Sequence, residues 1–336
     1  MSEDILVTGG SGSVGQPIVR ALVAAGHRVR MLTRRDESAR RAIVLGARPV
    51  RGDLLEPGAL ARATQGATVV VHAASSWTSQ GSHEEHARIN VTGTGLLLEA
   101  ARAAGVRRVV HISDASVVID GARPTDGDER LPVVTDASMP YSSTKAAAEK
   151  LALGASTDAM ATLALRPAFV WGEEAPELAA LSRAFRQRQY VWIGRGTHAF
   201  SVTHADNLAR AVVQALHHGR GGQAYFVTDD EVTSLKSFIT DLVATQGLQA
   251  EARTVPRWLA ECAARTFAQF PGLRPARRPS LTVESVRMLG QGLHLSSDLA
   301  RRELGYQPVV SRVEGMERLA ALSRSHGKLM AAAVAS

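Results

Sequence analysis

Short apolar segments alternate with longer segments of helical apolar spacing along the first half of the chain. Ile5–Val7 forms a short apolar segment, and a glycine-rich stretch follows it. The next stretch, "QPIVRALVAAG", places apolar side chains at helical spacing, at Ile18, Val19, Leu22 and Val23. "HRVRML" then alternates as a strand does. This order predicts a strand, a helix and a second strand.

The same alternation continues through "RPVRGDLLEPGAL", "ATVVVHAAS" and "INVTGTGLLLEAARAAGVRRVVHIS". Each apolar segment is followed by a polar turn and a helical pattern, which predicts an α/β fold with a doubly wound parallel sheet. Beyond residue 170 the pattern is less regular. We therefore expect a dinucleotide-binding domain over 1–170, a substrate-binding portion over 171–325 that interleaves with the end of the sheet, and a frayed tail over 326–336.

Composition excludes several classes of protein. No apolar run among the 336 residues reaches the ~18–20 residues that span a bilayer, so no membrane span is expected. Cys262 is the only cysteine, which fits a cytoplasmic location, and no cluster at metal-ligand spacing occurs. The net charge of +7 comes largely from scattered arginines rather than a basic stripe, so no nucleic-acid binding is expected.

Three glycines, Gly9, Gly12 and Gly15, follow the first predicted strand and lead into the first helix. Glycine lets the backbone turn tightly and bring its N–H groups close to a pyrophosphate at the positive end of a helix. In a strand–helix–strand unit this spacing predicts a dinucleotide-binding turn. An ordinary glycine-rich turn is the alternative.

The end of the second strand bears on which dinucleotide binds. Arg34 and Arg35 come directly before Asp36 and Glu37. An acid at this place typically holds the ribose 2′-hydroxyl of NAD, whereas arginine pairs with the 2′-phosphate of NADP. Because the arginines come first, we expect NADP, with NAD as the alternative.

Six motifs occur in an order that resembles the extended short-chain dehydrogenase/reductases of the NAD-dependent epimerase/dehydratase superfamily. They are "TGGSGSVG", "GDL", "VVHAA", "INVTGT", "YSSTK" and "LRPAFVWG". In the second half, "FSVTHADNLARAVVQAL", "GGQAYFVTDDEVTSLKSFI" and "SSDLARRELGYQP" are similar to the 3β-hydroxysteroid dehydrogenase-like branch. The resemblance implies a Rossmann-type α/β fold and an NAD(P)-dependent oxidoreductase.

The resemblance also assigns roles to residues. Tyr141 would exchange a proton with the substrate oxygen. Lys145, four residues later on the same helix face, would hold the nicotinamide ribose and lower the pKa of the tyrosine. The implied cofactor-binding residues are Gly9, Gly12, Ser13, Val14, Gly15, Arg34, Arg35, Asp53, Leu54, Ala73, Ala74, Asn90, Lys145, Pro167 and Val170.

The stretch "VVHISDASVV" departs from the family at one position. The family carries Ser or Thr three residues before a valine, and alignment on Val117 places Asp114 there. Along an extended segment Asp114 and Ser116 point to one side and Ser113 to the other. Three interpretations stay open: a hydroxyl from Ser113 or Ser116, which we rank first, a protonated Asp114, and an inactive site.

The substrate side is less defined by sequence. Trp77, Trp171 and Trp192 are candidate walls of the substrate pocket, although each could instead fill a core. The resemblance implies interconversion of a ketone and a secondary alcohol on an apolar substrate that is steroid-like, terpenoid or polyketide-derived. A sugar-nucleotide epimerase or dehydratase with tightly bound nicotinamide is one alternative, and a non-catalytic dinucleotide-sensing protein is another. A homodimer is an open expectation.

Overall fold

The computed structural model describes residues 2–77, 82–121, 125–270 and 281–335, with side chains as far as residue 325. Its strands are β1 (Asp4–Thr8), β2 (Arg28–Thr33), β3 (Arg48–Arg51), β4 (Val69–His72), β5 (Arg108–Ile112), β6 (Thr125–Gly127), β7 (Ala161–Pro167), β8 (Phe169–Trp171), β9 (Val191–Ile193), β10 (Val202–His204), β11 (Ala224–Val227), β12 (Arg253–Val255) and β13 (Leu293–Leu295).

Its helices are α1 (Gly15–Ala24), α2 (Asp36–Val44), α3 (Pro57–Thr64), α4 (His83–Ala87), α5 (Thr94–Ala103), α6 (Pro140–Gly154), α7 (Pro176–Arg186), α8 (Ala205–Ala215), α9 (Leu235–Ala244), α10 (Arg257–Gln269), α11 (Val283–Leu289), α12 (Asp298–Leu304) and α13 (Arg312–Ala335). A π-helix, Arg88–Gly93, joins α4 to α5, and a 3₁₀ helix, Ala115–Val118, follows β5. No helix in the described ranges is long and apolar enough to cross a membrane.

Seven parallel strands form the central sheet in the order β11-β7-β5-β4-β1-β2-β3. The predicted doubly wound parallel sheet is therefore confirmed. Strand order reverses between β1 and β4, because the chain builds outward from β1 in one direction and then continues from β4 in the other. In such sheets a ligand binds outside the carboxyl ends of the strands at this reversal.

Alternating side chains divide the core between the two faces of the sheet. Ile5 and Val7 of β1 pack with α1 and α8 on one face, whereas Leu6 packs with α3 and α5 on the other. Helix α6 lies beside α5 on that second face. This layering brings the first turns of α1 and α6 to the same edge of the sheet, where the parallel strands end.

The second half of the chain adds its own apolar cluster, to which Phe200, Phe226 and Phe238 contribute. It also completes the central sheet, since β11 is an edge strand of that sheet. Strand β13 pairs with β6 in a separate two-stranded sheet. These pairings agree with interleaving, while the division at residue 170 stays a prediction. The predicted tail, 326–336, begins inside α13, and none of its side chains is among those described.

A buried ion pair ties α6 to the sheet. Arg166 of β7 donates to both carboxylate oxygens of Glu149 on α6, at 2.9 and 2.6 Å. The exposed fractions of the two side chains are only 4% and 2%, and the guanidinium also lies over the ring of Phe226. A buried charge without its partner is costly, so this pair fixes how α6 sits on the sheet.

We expect Glu149→Ala to lower the free energy of unfolding by about 3–5 kcal/mol, because it leaves the Arg166 guanidinium buried and unpaired. Chemical denaturation of the purified protein measures this loss. Removing the exposed pair by Asp4→Ala, which frees Arg28 at the surface, is the control and should change stability little. Equal effects of the two substitutions would contradict the assignment of Glu149.

Candidate active site

The glycine turn brings the end of β1 against the segment after β4. Gly9 has a φ of 73°, and a Cβ there would overlap the backbone of Ala73 and Ala74. The Gly12 N–H donates to the Gly9 carbonyl at 3.0 Å, and a Cβ on Gly15 would overlap that same carbonyl. The turn therefore needs glycine both for its backbone conformation and for its close packing.

Helix α1 begins directly behind this turn. Val14 is its N-cap residue, Ser13 precedes it, and no side chain caps the first turn. The first N–H groups of a helix have no partner within the helix and carry its positive end. The turn and these N–H groups together fit a dinucleotide pyrophosphate.

Charged residues cluster where β2 and β3 end. Arg51 pairs with Asp36 at 2.8 Å and donates to the Arg34 carbonyl at 2.8 Å. Arg34 lies 3.5 Å from Asp53, whose other oxygen accepts the N–H of Leu55 at 2.9 Å. Asp36, next to the end of β2, is thus ion-paired, and the exposed guanidinium groups of Arg34 and Arg51 lie at this edge. A dinucleotide 2′-phosphate would complement that charge.

The tyrosine and lysine of "YSSTK" lie in the first two turns of α6, on one face. Tyr141 is 8% exposed and Lys145 is 3% exposed. The Lys145 ammonium donates to the carbonyl of Ile112, the last residue of β5, at 2.7 Å. Burial lowers the pKa of Lys145 to about 8, although the carboxylates of Asp114 and Glu149 oppose that shift. The structure therefore brings both predicted catalytic residues to the carboxyl end of β5.

Asp114 supplies the polar oxygen that lies next to Tyr141. The Tyr141 hydroxyl donates to Asp114 Oδ2 at 3.2 Å, while Oδ1 accepts the N–H of Ser116 at 2.7 Å. Removal from water raises the pKa of the Asp114 carboxyl, against the opposing hydrogen bonds from Ser116 and the charge of Lys145. Burial also raises the pKa of Tyr141 well above its usual value, and the carboxylate of Asp114 adds to that shift.

The two serines lie differently from Asp114. Ser113 still belongs to the extended segment, and its N–H donates to the Leu165 carbonyl of β7. Its hydroxyl is buried and has no hydrogen-bond partner among the described residues. Ser116 lies in the 3₁₀ helix that begins at Ala115. The alternation of side chains along the strand therefore ends before Ser116 and does not determine the direction of its side chain. Of these three residues, Asp114 is the one hydrogen-bonded to Tyr141.

A buried polar chain supports the wall of the site. The Thr94 hydroxyl donates its proton to the Asn90 carbonyl at 2.5 Å, so it can only accept from His72. The His72 ring therefore carries its proton on Nε2, and its Nδ1 accepts from the Thr8 hydroxyl. Burial lowers the pKa of His72 to about 3, which keeps the ring neutral. The Asn90 amide in turn donates to Thr144 of α6 at 3.1 Å. These bonds fix the π-helix against β1, β4 and α6.

Several predicted cofactor residues lie in the walls of this region. Leu54 is buried and fills the space against Gly93 of the π-helix. Pro167 ends β7 and is buried, while Val170 of β8 is partly buried. Arg35 is exposed and makes no ion pair within the described ranges.

Trp77 is the tryptophan that contacts Tyr141. Its ring lies edge-on to that of Tyr141 with centroids 4.7 Å apart, and half of the side chain is exposed. Trp171 and Trp192 lie in the second apolar cluster instead, with exposed fractions of 1% and 2%. The Trp171 indole also donates to Asp229 at 2.7 Å. These two rings fill the core rather than line an open pocket.

A cluster that the sequence did not predict lies beyond β10, where ligand-type atoms of Glu173, His204 and Asp206 come within 4.8 Å of one another. His204 Nδ1 accepts the N–H of Asp206, so the neutral ring carries its proton on Nε2. Arg318 also donates to Asp206 at 3.0 Å. Since one ring nitrogen of His204 and the Asp206 carboxylate are already engaged in this way, we assign no metal to the cluster.

Two further charged residues at the site have no counterpart in the sequence-based prediction. Arg51 comes from β3, and Glu284 of α11 accepts the backbone N–H groups of Tyr141 and Ser142. Both contacts join residues far apart in sequence, so no local motif signals them. The fold alone brings them to the site.

Comparisons with known proteins agree with this geometry. The model of the 3-beta hydroxysteroid dehydrogenase/isomerase family matches residues 6–257. A ketoreductase of 4-hydroxy-2-methyl-3-oxo-4-farnesyl-3,4-dihydroquinoline-1-oxide from Stigmatella aurantiaca is 37% identical, over 93% of this chain and 94% of its own. A 2-alkyl-3-oxoalkanoate reductase from Stenotrophomonas maltophilia is 34% identical, over 95% of this chain and 99% of its own length.

Among solved structures, the dTDP-glucose 4,6-dehydratase DesIV from Streptomyces venezuelae, with NAD bound, is similar with a TM-score of 0.74. It is 25% identical, and the match covers 96% of this chain and 97% of that one. The likeness supports a nicotinamide dinucleotide cofactor.

We expect Gly15→Ala to weaken binding of both NADPH and NADH at least about tenfold, because the added methyl group overlaps the Gly9 carbonyl. Titration of cofactor fluorescence measures the dissociation constants. Gly95→Ala is the matched control, since a Cβ there meets open space. Wild-type affinity in Gly15→Ala would contradict a pyrophosphate site at this turn.

Proposed function

The chain belongs to the 3-beta hydroxysteroid dehydrogenase/isomerase family, and from that premise we propose that it reduces a ketone on an apolar molecule with NADPH, with Asp114 acting as a neutral acid beside Tyr141. Family membership makes it an NAD(P)-dependent oxidoreductase that interconverts a ketone and a secondary alcohol. The observation that carries the finer proposal is the 3.2 Å hydrogen bond between Tyr141 and Asp114.

The proposed mechanism places the substrate oxygen between Tyr141 and Asp114. A nicotinamide held by the glycine turn and Lys145 would supply the hydride for the carbonyl carbon. Tyr141 donates its phenolic proton to the substrate oxygen, and protonated Asp114 donates a hydrogen bond to the same oxygen. The Lys145 ammonium stabilises the phenolate that remains on Tyr141. In the reverse direction, Tyr141 accepts the proton of the alcohol.

Protonation of Asp114 is the state that lets it replace the family's hydroxyl. Only the acid form can donate a hydrogen bond, and an ionised carboxylate beside Tyr141 opposes formation of a phenolate. Burial already favours the acid form, since it raises the pKa of Asp114. Ser113 and Ser116 are the alternative donors, and the structure supplies no hydrogen bond from either hydroxyl to Tyr141.

The substrate proposal rests on the relatives and on Trp77. The two relatives described above act on molecules with a 3-oxo group and with a farnesyl or alkyl substituent, according to their names. In this chain the half-exposed ring of Trp77 lies directly against Tyr141, so it offers an apolar surface next to the reacting oxygen. We therefore propose an oxo compound with an extended apolar substituent as the substrate class.

The preference for NADPH is supported by how the charges pair. Asp36 and Glu37, which follow β2, are paired with Arg51 and Arg41. A carboxylate engaged in this way is less available to a ribose hydroxyl. Arg35 has no ion-pair partner among the described residues and lies next to Arg34 at the same edge. The two guanidinium groups therefore suit a 2′-phosphate.

For the reaction itself, we expect Asp114→Ala to lower kcat for ketone reduction by about 10²–10³, because one donor to the developing oxyanion is lost. Asp114→Ser, which restores a hydroxyl, should retain most activity. In the wild-type protein the rate should fall as the pH rises through the raised pKa of Asp114, since ionisation removes the donor and opposes phenolate formation on Tyr141. Asp114→Ser should lose this limb.

The measurement is steady-state NADPH oxidation across pH with a panel of 3-oxo compounds that carry long apolar substituents. Ser113→Ala and Ser116→Ala are the matched controls, and both should stay close to wild type. A large loss in either serine variant, with Asp114→Ala still active, would instead place the donor on a serine. Tightly bound nicotinamide with no net oxidation would favour the epimerase alternative.

For the cofactor, we expect the double substitution Arg34→Ala/Arg35→Ala to weaken NADPH binding about 10- to 100-fold and leave NADH binding nearly unchanged, because charge-assisted hydrogen bonds to the 2′-phosphate are lost. Fluorescence titration with each cofactor measures the ratio. Arg41→Ala is the control, since Arg41 pairs with Glu37 along α2. An equal loss for both cofactors would contradict a phosphate-specific role.

A further inference from the structure

The catalytic helix has no cap of its own. Met139 is the N-cap residue of α6, and no side chain in the adjoining loop accepts from the first turn. The N–H groups of Tyr141 and Ser142 are instead bound by the carboxylate of Glu284, at 3.3 and 2.7 Å. The Ser142 hydroxyl donates to the same carboxylate at 2.6 Å. Glu284 thus holds the helix at the residue that carries the proton.

A second contact joins α11 to the loop before α6. Arg287, three residues after Glu284 on the same short helix, donates to Asp136 at 2.8 Å and lies 3.4 Å from the Ser138 hydroxyl. The Arg287 guanidinium lowers the pKa of Asp136 to about 2, so this carboxylate is ionised at neutral pH. We call Glu284 and Arg287 the α11 clamp.

The α11 clamp combines charge with burial. Glu284 is 7% exposed, and its carboxylate accepts three hydrogen bonds, from the N–H groups of Tyr141 and Ser142 and from the Ser142 hydroxyl. A negative charge at a helix N-terminus interacts favourably with the helix dipole. Replacing Glu284 by the neutral glutamine would put an NH₂ group in place of one carboxylate oxygen, and this group cannot accept a hydrogen bond from a backbone N–H. The clamp therefore depends on the charge of Glu284 as well as on its shape.

We propose that Glu284, supported by Arg287, is a positioning residue that fixes Tyr141 against Asp114, so that α11 couples the second half of the chain to proton transfer. This inference rests on the proposed function, because it assigns the proton to Tyr141. Glu284 does not touch the substrate oxygen in this account. It acts through the backbone and the charge environment of Tyr141.

Charged groups from several elements face Tyr141. Asp114 follows β5, Lys145 lies one turn along α6, and the His86 ring of α4 lies edge-on with centroids 6.0 Å apart. Burial is the main reason that the pKa of Tyr141 is raised, Asp114 is the next, and the Glu284 carboxylate raises it further. Neutralising Glu284 therefore lowers the pKa of Tyr141 relative to wild type.

The test uses Glu284→Gln in the full-length protein. Hydrogen exchange of the Tyr141 and Ser142 amides should become about tenfold faster, because their charged acceptor is lost. In the Asp114→Ser background, which lacks the limb assigned to Asp114, the alkaline limb at which Tyr141 loses the proton that it must donate should move to lower pH when Glu284 is replaced by glutamine. We expect kcat to fall about tenfold with the KM for the ketone unchanged. Glu284→Asp, which keeps the charge, should restore the wild-type pH profile.

Glu314→Gln is the matched control, because it neutralises a carboxylate that pairs with Arg318 along α13 and makes no ion pair with the α11 clamp among the described residues. It should leave both readouts unchanged. Faster exchange in Glu284→Gln with an unmoved pH profile would reduce Glu284 to a structural cap and overturn the proposal, as would wild-type behaviour in both readouts.

Absence of turnover in wild type would refute the proposed reaction without deciding on Glu284. Tyrosinate absorbance, taken as the difference from Tyr141→Phe, would then still report the pKa of Tyr141 in both backgrounds. An unchanged value in Glu284→Gln would overturn the inference by itself.

Discussion

The contact between Tyr141 and Asp114 is the constraint on which the proposed chemistry of this protein depends. Both groups are largely removed from water, which raises the pKa of each. The Asp114 carboxylate raises the pKa of Tyr141 further, whereas the hydrogen bond from Tyr141 lowers the pKa of Asp114. Two negative charges at this separation are unfavourable, so the pair keeps at least one proton over a wide pH range. The Lys145 ammonium is the one cation held beside them by a described hydrogen bond. A protein that must deliver a proton to a ketone oxygen benefits from such an arrangement.

The scaffold explains why these groups meet. Parallel strands end at one edge of the sheet, which places Asp114, in the segment after β5, beside the first turn of α6. The Glu149–Arg166 pair fixes α6 to β7, and the His72 chain fixes the π-helix beside it. Helix α11 then holds the start of α6 from the other side. Each support is buried, so Tyr141 has little freedom to move away from Asp114.

Local patterns predicted the parts of this site that depend on nearby residues. The glycine turn, the order of strands and helices, and the Tyr141–Lys145 pair follow from short periodicities and spacing. Strand alternation left Asp114, Ser113 and Ser116 open as the partner of the tyrosine. It could not show that a 3₁₀ helix begins at Ala115, so that the alternation ends before Ser116. Glu284 and Arg51 escaped prediction because their partners are distant in sequence. Trp171 and Trp192 reach the core through tertiary packing.

The most direct test of this account is the protonation state of Asp114, read from the infrared carbonyl stretch of a carboxylic acid. The difference spectrum between the wild-type protein and Asp114→Asn near neutral pH isolates this group. We expect a protonated-carboxyl band in the wild-type protein that disappears as the pH is raised. A spectrum with only carboxylate absorption at neutral pH would show that Asp114 is ionised there. It would contradict the role of Asp114 as a neutral acid beside Tyr141.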